Sequence, residues 1–104
     1  MNIRGLIEML RFLGGKKILD KMNPSKVRLF IKPFCGWCDE AQSWLDDRGI
    51  QYETLDVIAD TAARREMFAL SQQTLAPVID VDGKVLADFA APELAVWWQQ
   101  RACA

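Results

Sequence analysis

The order of apolar segments after residue 26 constrains the fold more than any other feature of this sequence. VRLFI (27–31) and QYETLDV (51–57) are short segments rich in β-branched or aromatic residues, and each predicts a strand. A helix is predicted between them, from about Gly36 to Arg48, with Gly49 at its end. Two neighbouring strands that are joined through a helix run parallel. The first half of the domain is therefore predicted to be a parallel βαβ unit.

The second half of the chain predicts a helix, a hairpin and a last helix. DTAARREMFALSQQ (60–73) has an apolar face at helical spacing, and Asp60 or Thr61 is expected to cap it. PVIDV and KVLAD flank an Asp-Gly pair at 82–83, which is typical of a tight hairpin turn. APELAVWWQQRA (91–102) carries an apolar stripe. The predicted fold is α/β, with a four-stranded mixed sheet covered by helices on both faces.

The first 25 residues differ from the rest in charge and are predicted to be a basic, amphipathic helical extension of a domain that spans 26–104. Up to residue 26 there are six basic residues against Glu8 and Asp20, although the whole chain has a net charge of −1. A solvated helix face is the simplest interpretation, and a membrane surface or an anionic partner is the alternative. Glu8 and Arg11 interrupt the apolar stretch, so neither a signal peptide nor a membrane span is predicted. We expect a cytoplasmic protein that does not bind nucleic acid.

The motif KPFCGWC places Cys35 and Cys38 directly after the first strand, and three interpretations of the pair are open. A zinc site requires four ligands, but only Cys103 remains and the chain has no histidine, so no metal site is predicted. A structural disulfide across so short a loop adds little stability and is reduced in the cytoplasm. A working dithiol has neither problem.

The dithiol interpretation has an electrostatic basis. Cys35 precedes a helix, whose free N–H groups and dipole favour a thiolate, and at such positions the pKa of a thiol falls below its ordinary value of about 8.5. Lys32 adds a positive charge, while Asp39 and Glu40 oppose the effect. Cys38 lies one helical turn further and can attack a mixed disulfide on Cys35. Cys35 is therefore the predicted nucleophile, and Cys38 the resolving thiol.

FIKPFCGWC, TLAPVIDVDGK and the DF pair before the last helix together resemble the glutaredoxin family of the thioredoxin superfamily, over about residues 26–102. The resemblance implies a thioredoxin-like fold and thiol–disulfide oxidoreductase activity. It also implies a cis peptide bond before Pro77. The residues expected to line a groove for glutathione or another substrate are Lys32, Gly36, Trp37, Ala76, Pro77 and Asp88. The expected substrates are disulfide-bearing proteins or glutathione mixed disulfides.

Departures from the family pattern keep other functions open. Gly36 stands where many members have proline, and some relatives without it bind a [2Fe–2S] cluster between two subunits. Ala87 and Asp88 replace a Gly-Gly pair that holds glutathione, which leaves thioredoxin reductase as an alternative electron source and a redox-inert binding module as a third function. We expect no tightly bound cofactor, glutathione as a co-substrate, and a monomer, with a dimer as the alternative.

Overall fold

The computed structural model describes residue 24 and residues 26–103, and this part contains four strands and three helices. In chain order they are β1 (Val27–Ile31), α1 (Gly36–Asp47), β2 (Glu53–Asp56), α2 (Thr61–Ser71), β3 (Val78–Val81), β4 (Lys84–Ala87) and α3 (Ala91–Cys103). This succession confirms the predicted βα-βα-ββ-α order. The extension predicted for residues 1–25 lies, except for Pro24, outside the described residues. No helix of the described part is long and apolar enough to cross a bilayer.

The sheet is mixed, and its strand order is β2-β1-β3-β4. β1 pairs with β2 in parallel, as the helical connection between them requires. β3 pairs with both β1 and β4 in antiparallel fashion. As a result β1 and β4 end, and β3 begins, at one common edge of the sheet. We call it the C-terminal edge of β1.

Alternating residues of β1 send side chains to opposite faces of the sheet, so the core has two parts. Val27 and Leu29 belong to the part that also contains residues of α1 and α3, while Phe30 faces α2. The first part comprises Val27, Leu29, Ala41, Leu45, Ile79, Val81, Phe89 and Leu94. The second comprises Phe30, Val57, Ala63, Met67 and Val78. Helices therefore cover both faces, as predicted, and the three tryptophans on helical stripes, Trp44, Trp97 and Trp98, pack against the first part.

Local signals predicted the ends of several elements correctly. The Asp60 side chain caps α2 by accepting hydrogen bonds from the backbone N–H groups of Ala62 and Ala63, at 2.9 and 3.2 Å. Gly49 has a φ of +67° just after α1, in the left-handed region that glycine tolerates. Asp82 and Gly83 also have positive φ angles, as the hairpin turn requires.

Other boundaries differ from the prediction. β2 is shorter than the segment 51–57, because after Asp56 the chain turns, with the Asp56 carboxylate accepting from the N–H groups of Ile58 and Ala59. α2 stops at Ser71, since Gln72 adopts the left-handed conformation with a φ of +61°. β4 stops at Ala87 because Asp88 has a φ of +51°.

One charged pair joins the two central strands. Arg28 on β1 lies directly opposite Asp80 on β3, and its guanidinium donates to the Asp80 carboxylate at 2.7 and 3.2 Å. Arg28 also forms an ion pair with Glu66 of α2. The hydrogen bond to Asp80 is the main reason that the pKa of Arg28 lies above its ordinary value. The strand that leads into the predicted dithiol and the strand that begins at the same edge of the sheet are thus tied by side chains as well as by the ladder.

Candidate functional site

Cys35 and Cys38 lie where β1 gives way to α1 and are joined by a disulfide, with their Cα atoms 5.2 Å apart. Cys35 is the N-cap of α1, and its backbone carbonyl accepts the helical hydrogen bond from Asp39 N–H at 3.1 Å. Its Sγ accepts from the backbone N–H of Cys38 at 3.2 Å. A free N–H group of the first helical turn is thus directed at the sulfur. A hydrogen bond of this kind stabilises a thiolate more than a neutral thiol.

The two sulfurs differ in their access to solvent. Cys38, in the first turn of α1, is 1% exposed, whereas Cys35 is partly exposed. A substrate can therefore approach Cys35 from outside, while Cys38 can reach a bond formed on Cys35 only from within. This arrangement fits the predicted order of attack, in which the outer cysteine reacts first.

The residues between and before the cysteines lie on the surface. Trp37 is half exposed. Gly36 is exposed, and a Cβ added to it would meet nothing within 4 Å, so space alone does not require glycine there. Lys32 is partly buried between the end of β1 and the motif. Asp39 and Glu40, in the first turns of α1, are both exposed.

The remaining predicted site residues lie at the same sheet edge. The Ala76–Pro77 peptide bond is cis, as the resemblance implied, and Pro77 is fully buried just before β3. The β1–β3 ladder ends at the Phe30–Val78 pair, so the backbone of Ala76 follows directly beyond it. Asp88 is exposed, and its backbone N–H donates to the carbonyl of Pro77 at 2.9 Å. All eight predicted residues thus come together at the C-terminal edge of β1.

Sequence reasoning missed several residues at this edge. Phe34, directly before Cys35, is fully exposed and has a φ of +57°. Ile58 and Leu75 are also exposed there, after β2 and before the cis bond. Of the three, only Phe34 could have been recognised from the sequence, because it lies directly before the first cysteine. Ile58 and Leu75 are far from the motif in the chain, and only the tertiary fold brings them to this edge.

A shallow groove of about 460 Å³ runs along α2 and is lined by Thr61, Arg64, Arg65, Phe68 and Thr74. Thr74 is close along the chain to the cis bond at Ala76, so the groove adds positive charge on that side of the motif. The acidic residues Asp39 and Glu40 lie on α1.

A [2Fe–2S] cluster requires cysteine thiolates, usually four. The described part of one chain offers the partly exposed Cys35 and the buried Cys38, and no group of three or more His, Cys, Asp or Glu residues there could hold a metal ion. The donor atoms of one described chain therefore do not complete a cluster by themselves. A cluster between two subunits stays a prediction, and no chemical step is derived through one.

A four-stranded mixed sheet with helices on both faces, a Cys-x-x-Cys pair at a helix N-terminus and a cis proline at the adjacent strand define a protein with the thioredoxin-like fold. The glutaredoxin family model matches residues 27–86, which is more than half of the chain. The chain therefore belongs to the glutaredoxin family.

Individual relatives agree with this assignment. An uncharacterized glutaredoxin-like 8.6 kDa protein in the rubredoxin operon of Clostridium pasteurianum is 31% identical over 68 residues, which cover 65% of this chain and 91% of the relative. Glutaredoxin 3 of Escherichia coli strain K12 is 28% identical over 60 residues, or 58% of this chain and 72% of the relative. The crystal structure of the thioredoxin-like protein BC3987 has a TM-score of 0.64 and 29% identity, covering 73% of this chain and 99% of that one.

Proposed function

We propose that this protein is a dithiol–disulfide oxidoreductase that reduces protein disulfides or glutathione mixed disulfides. The observation that carries the proposal is the hydrogen bond from Cys38 N–H to Cys35 Sγ at the N-terminus of α1, on a sulfur that remains accessible. Membership of the glutaredoxin family supports the same chemistry. The Cys35–Cys38 disulfide supports the proposal as well, because it is the oxidised state that such a cycle requires.

The reaction begins with the reduced protein. The Cys35 thiolate attacks one sulfur of the substrate disulfide, which forms a mixed disulfide and releases the other substrate sulfur as a thiolate that takes up a proton. The Cys38 thiol then loses its proton and attacks Cys35 Sγ. The mixed disulfide breaks, the second substrate thiol leaves, and the Cys35–Cys38 disulfide remains. Two electrons and two protons have passed from the dithiol to the substrate.

Each neighbouring residue has a proposed part in this cycle. The helix N-terminus holds the developing negative charge on Cys35. Lys32, Gly36 and Trp37 line one side of the approach, and the backbone of Ala76 with Pro77 lines the other. Asp88, exposed next to Pro77, places a carboxylate where the γ-glutamyl carboxylate of glutathione is expected, and this weakens glutathione binding. Re-reduction by glutathione or by thioredoxin reductase completes the cycle.

The test is reduction of a glutathione mixed disulfide, with glutathione, glutathione reductase and NADPH as the electron source. We expect turnover that disappears in Cys35→Ser, because the attacking sulfur is lost. Cys38→Ser should keep the monothiol reaction, in which glutathione resolves the mixed disulfide in place of Cys38. Cys103→Ser, the same change at the third cysteine of the chain, serves as the matched control and should react like wild type.

The electron source is tested in a parallel assay with thioredoxin reductase and NADPH. Activity only in this second assay would assign the donor to thioredoxin reductase and agree with the carboxylate at Asp88. Equal rates for wild type and Cys35→Ser in both assays would refute the proposed function.

A further inference from the structure

A groove of about 500 Å³ lies on the outer face of α1, beside the start of α3. α1 lines it from Asp39 to Arg48, and Ala91 lines it on the side of α3. Its largest apolar residue is the half-buried Trp44, which packs against Trp98 of α3 with ring centroids 5.7 Å apart. We call it the α1 groove. Within the described part of the chain nothing covers it, since the residues of α1 that line it, apart from Trp44, are exposed.

The α1 groove carries a net negative charge. Its lining includes the exposed carboxylates of Asp39, Glu40 and Asp47, and none of the three forms an ion pair with another described residue. Arg48 is a cation in the same lining, but its guanidinium lies over the ring of Trp44, 3.9 Å from the centroid. An aromatic surface flanked by carboxylates favours an occupant that is both apolar and basic.

The position of Asp47 is unfavourable in the described fold taken alone. Asp47 is the last residue of α1, where the free backbone carbonyls already carry partial negative charge, and the last turn contains no basic residue. The neighbouring Asp46 accepts a hydrogen bond from the hydroxyl of Tyr52 at 2.8 Å, whereas Asp47 has no such donor among the described residues. A basic group bound in the α1 groove would offset this carboxylate.

The chain itself contains a segment of the required chemistry. Residues 1–25 hold five basic residues against Glu8 and Asp20. They also hold apolar residues at helical spacing, namely Ile3, Leu6, Ile7, Leu10 and Leu13. The glutaredoxin family model begins only at residue 27, so the family match does not account for this segment.

The point of attachment places this segment near the α1 groove. It joins the domain at Lys26, directly before β1. Glu53 at the start of β2 pairs with Arg28, and α1 ends at Asp47, six residues before Glu53, so Asp47 and Lys26 lie towards the same end of the sheet. α1 is about 18 Å long, and 25 residues span about 37 Å as a helix and more when extended. The segment is therefore long enough to follow the whole groove.

We propose that residues 1–25 bind in the α1 groove of the same molecule, with apolar side chains against Trp44 and basic side chains beside the carboxylates. The residues expected beside Asp47 are those nearest in the chain to the point of attachment, Lys16, Lys17 and Lys21. Individual surface ion pairs contribute little, but a covalent tether keeps the segment at a high local concentration, so that weak contacts suffice. The interaction does not depend on the oxidoreductase function.

The first test is cross-linking of the full-length protein with a carbodiimide, which joins a lysine to a carboxylate in direct contact with it. The monomer is isolated and digested, and the linked peptides are identified by mass spectrometry. We expect links from the three lysines to the carboxylates of the α1 groove. Glu53, an exposed carboxylate on β2, is the matched control and should not be linked.

The second test uses the sign of a change in stability. By its effect on the helix dipole alone, Asp47→Lys should raise the Tm, because a cation suits the C-terminus of a helix. If the segment is bound, the same change should lower the Tm of the full-length protein by about 4 °C at low ionic strength, and by less in high salt. Replacing the three lysines by glutamate should restore much of the loss in Asp47→Lys, but none of any loss in Glu53→Lys.

Other occupants give different outcomes. A higher Tm in Asp47→Lys, or links to Glu53 as frequent as those to the α1 groove, would overturn the proposal. Links between chains in a mixture of isotopically labelled and unlabelled protein would make a second copy the occupant and would also overturn it. So would sedimentation of the wild type with vesicles that contain phosphatidylserine, if the links to the groove are absent. A Cys35→Ser variant without redox activity should keep the same links, so the two proposals fail separately.

Discussion

The pair between Arg28 and Asp80 should dominate the stability of the two strands that position the cysteine motif and the cis proline. The perturbation is Asp80→Ala, which removes the acceptor of two hydrogen bonds from Arg28, at 2.7 and 3.2 Å. It also removes the acceptor of the bond from Gly83 N–H at 2.9 Å, within the hairpin turn. The variant leaves the Arg28 guanidinium at the sheet with Glu66 as its remaining ion-pair partner.

The expected cost follows from burial. The side chains of Arg28 and Asp80 are 16% and 11% exposed, so most of the solvent that would screen them is excluded. Removing one partner of a buried pair typically costs about 3–5 kcal/mol, and the solvent access that remains places this pair near about 2–3 kcal/mol. Glu66 is 42% exposed, so Glu66→Ala should cost about 1 kcal/mol or less. A loss of about 2–3 kcal/mol lowers the Tm of a domain of this size by roughly 10–20 °C.

The measurement is urea denaturation of the reduced protein, followed by circular dichroism, for wild type, Asp80→Ala, Glu66→Ala, Arg28→Met and Asp80→Val. A double variant, Arg28→Met with Asp80→Val, should lose less stability than the sum of its two single variants, because it leaves no unpaired charge. If Asp80→Ala costs no more than Glu66→Ala, or if the double variant is strictly additive, the reasoning about the buried pair is wrong.

Three further changes test local features of the fold. Asp60→Ala should lower the free energy of unfolding by about 1 kcal/mol, measured by urea denaturation, because it removes the N-cap of α2; an unchanged midpoint would contradict the cap. Burial raises the pKa of Tyr52 to about 12, and the hydrogen bond to Asp46 contributes to this shift. Because folding favours the neutral phenol, the free energy of unfolding should fall as the pH rises from about 10 towards 12. Tyr52 is the single tyrosine of the chain, so its phenolate absorbance can be followed directly, and Tyr52→Phe should lack this loss. Gly83→Ala should destabilise the protein by about 1 kcal/mol, because the φ of +93° at this position strains any residue with a Cβ, although the added Cβ would clash with no neighbour. An unchanged Tm in thermal denaturation would contradict this prediction.

The difference in exposure between the two sulfurs predicts the order of events in the proposed reaction. Cys38 is 1% exposed, so it cannot take part in the first attack on a large substrate without local opening of α1. Alkylation of the reduced protein with iodoacetamide should therefore modify Cys35 well before Cys38, as peptide mapping by mass spectrometry would show. Equal rates of modification at the two cysteines would contradict the inner position of Cys38.

The sequence predicted those features that depend on short stretches of chain. The β-branched and aromatic residues of VRLFI, the cap at Asp60 and the turn at Asp82-Gly83 act over a few residues, and the structure has all three features where they were expected. The position of Cys35 at the start of a helix followed from the same local signals, because a strand precedes the motif and a helical pattern follows it.

Element ends were less predictable, because single residues changed the backbone direction against the local pattern. Gln72 and Asp88 both adopt the left-handed conformation, Gln72 at the end of α2 and Asp88 at the end of β4. Neither residue type prefers this conformation strongly enough to mark the end of the element in the sequence. After Gln72 the chain must reach the cis bond before β3, and after Asp88 it must reach the start of α3. These constraints come from the tertiary fold and are not present in the local sequence.

By itself, the sequence determined the order of strands and helices, the cap at Asp60, the turn at Asp82-Gly83, and the cysteine pair at a helix N-terminus. Each of these depends on interactions between near neighbours in the chain. The tertiary structure alone decided that Cys38 is buried while Cys35 is accessible, and that Phe34, Ile58 and Leu75 lie at one edge with Asp88. That edge exists only because β1, β2 and β4 end where β3 begins. Long-range strand pairing brings together residues that are far apart in the sequence, and no local pattern encodes which of them meet.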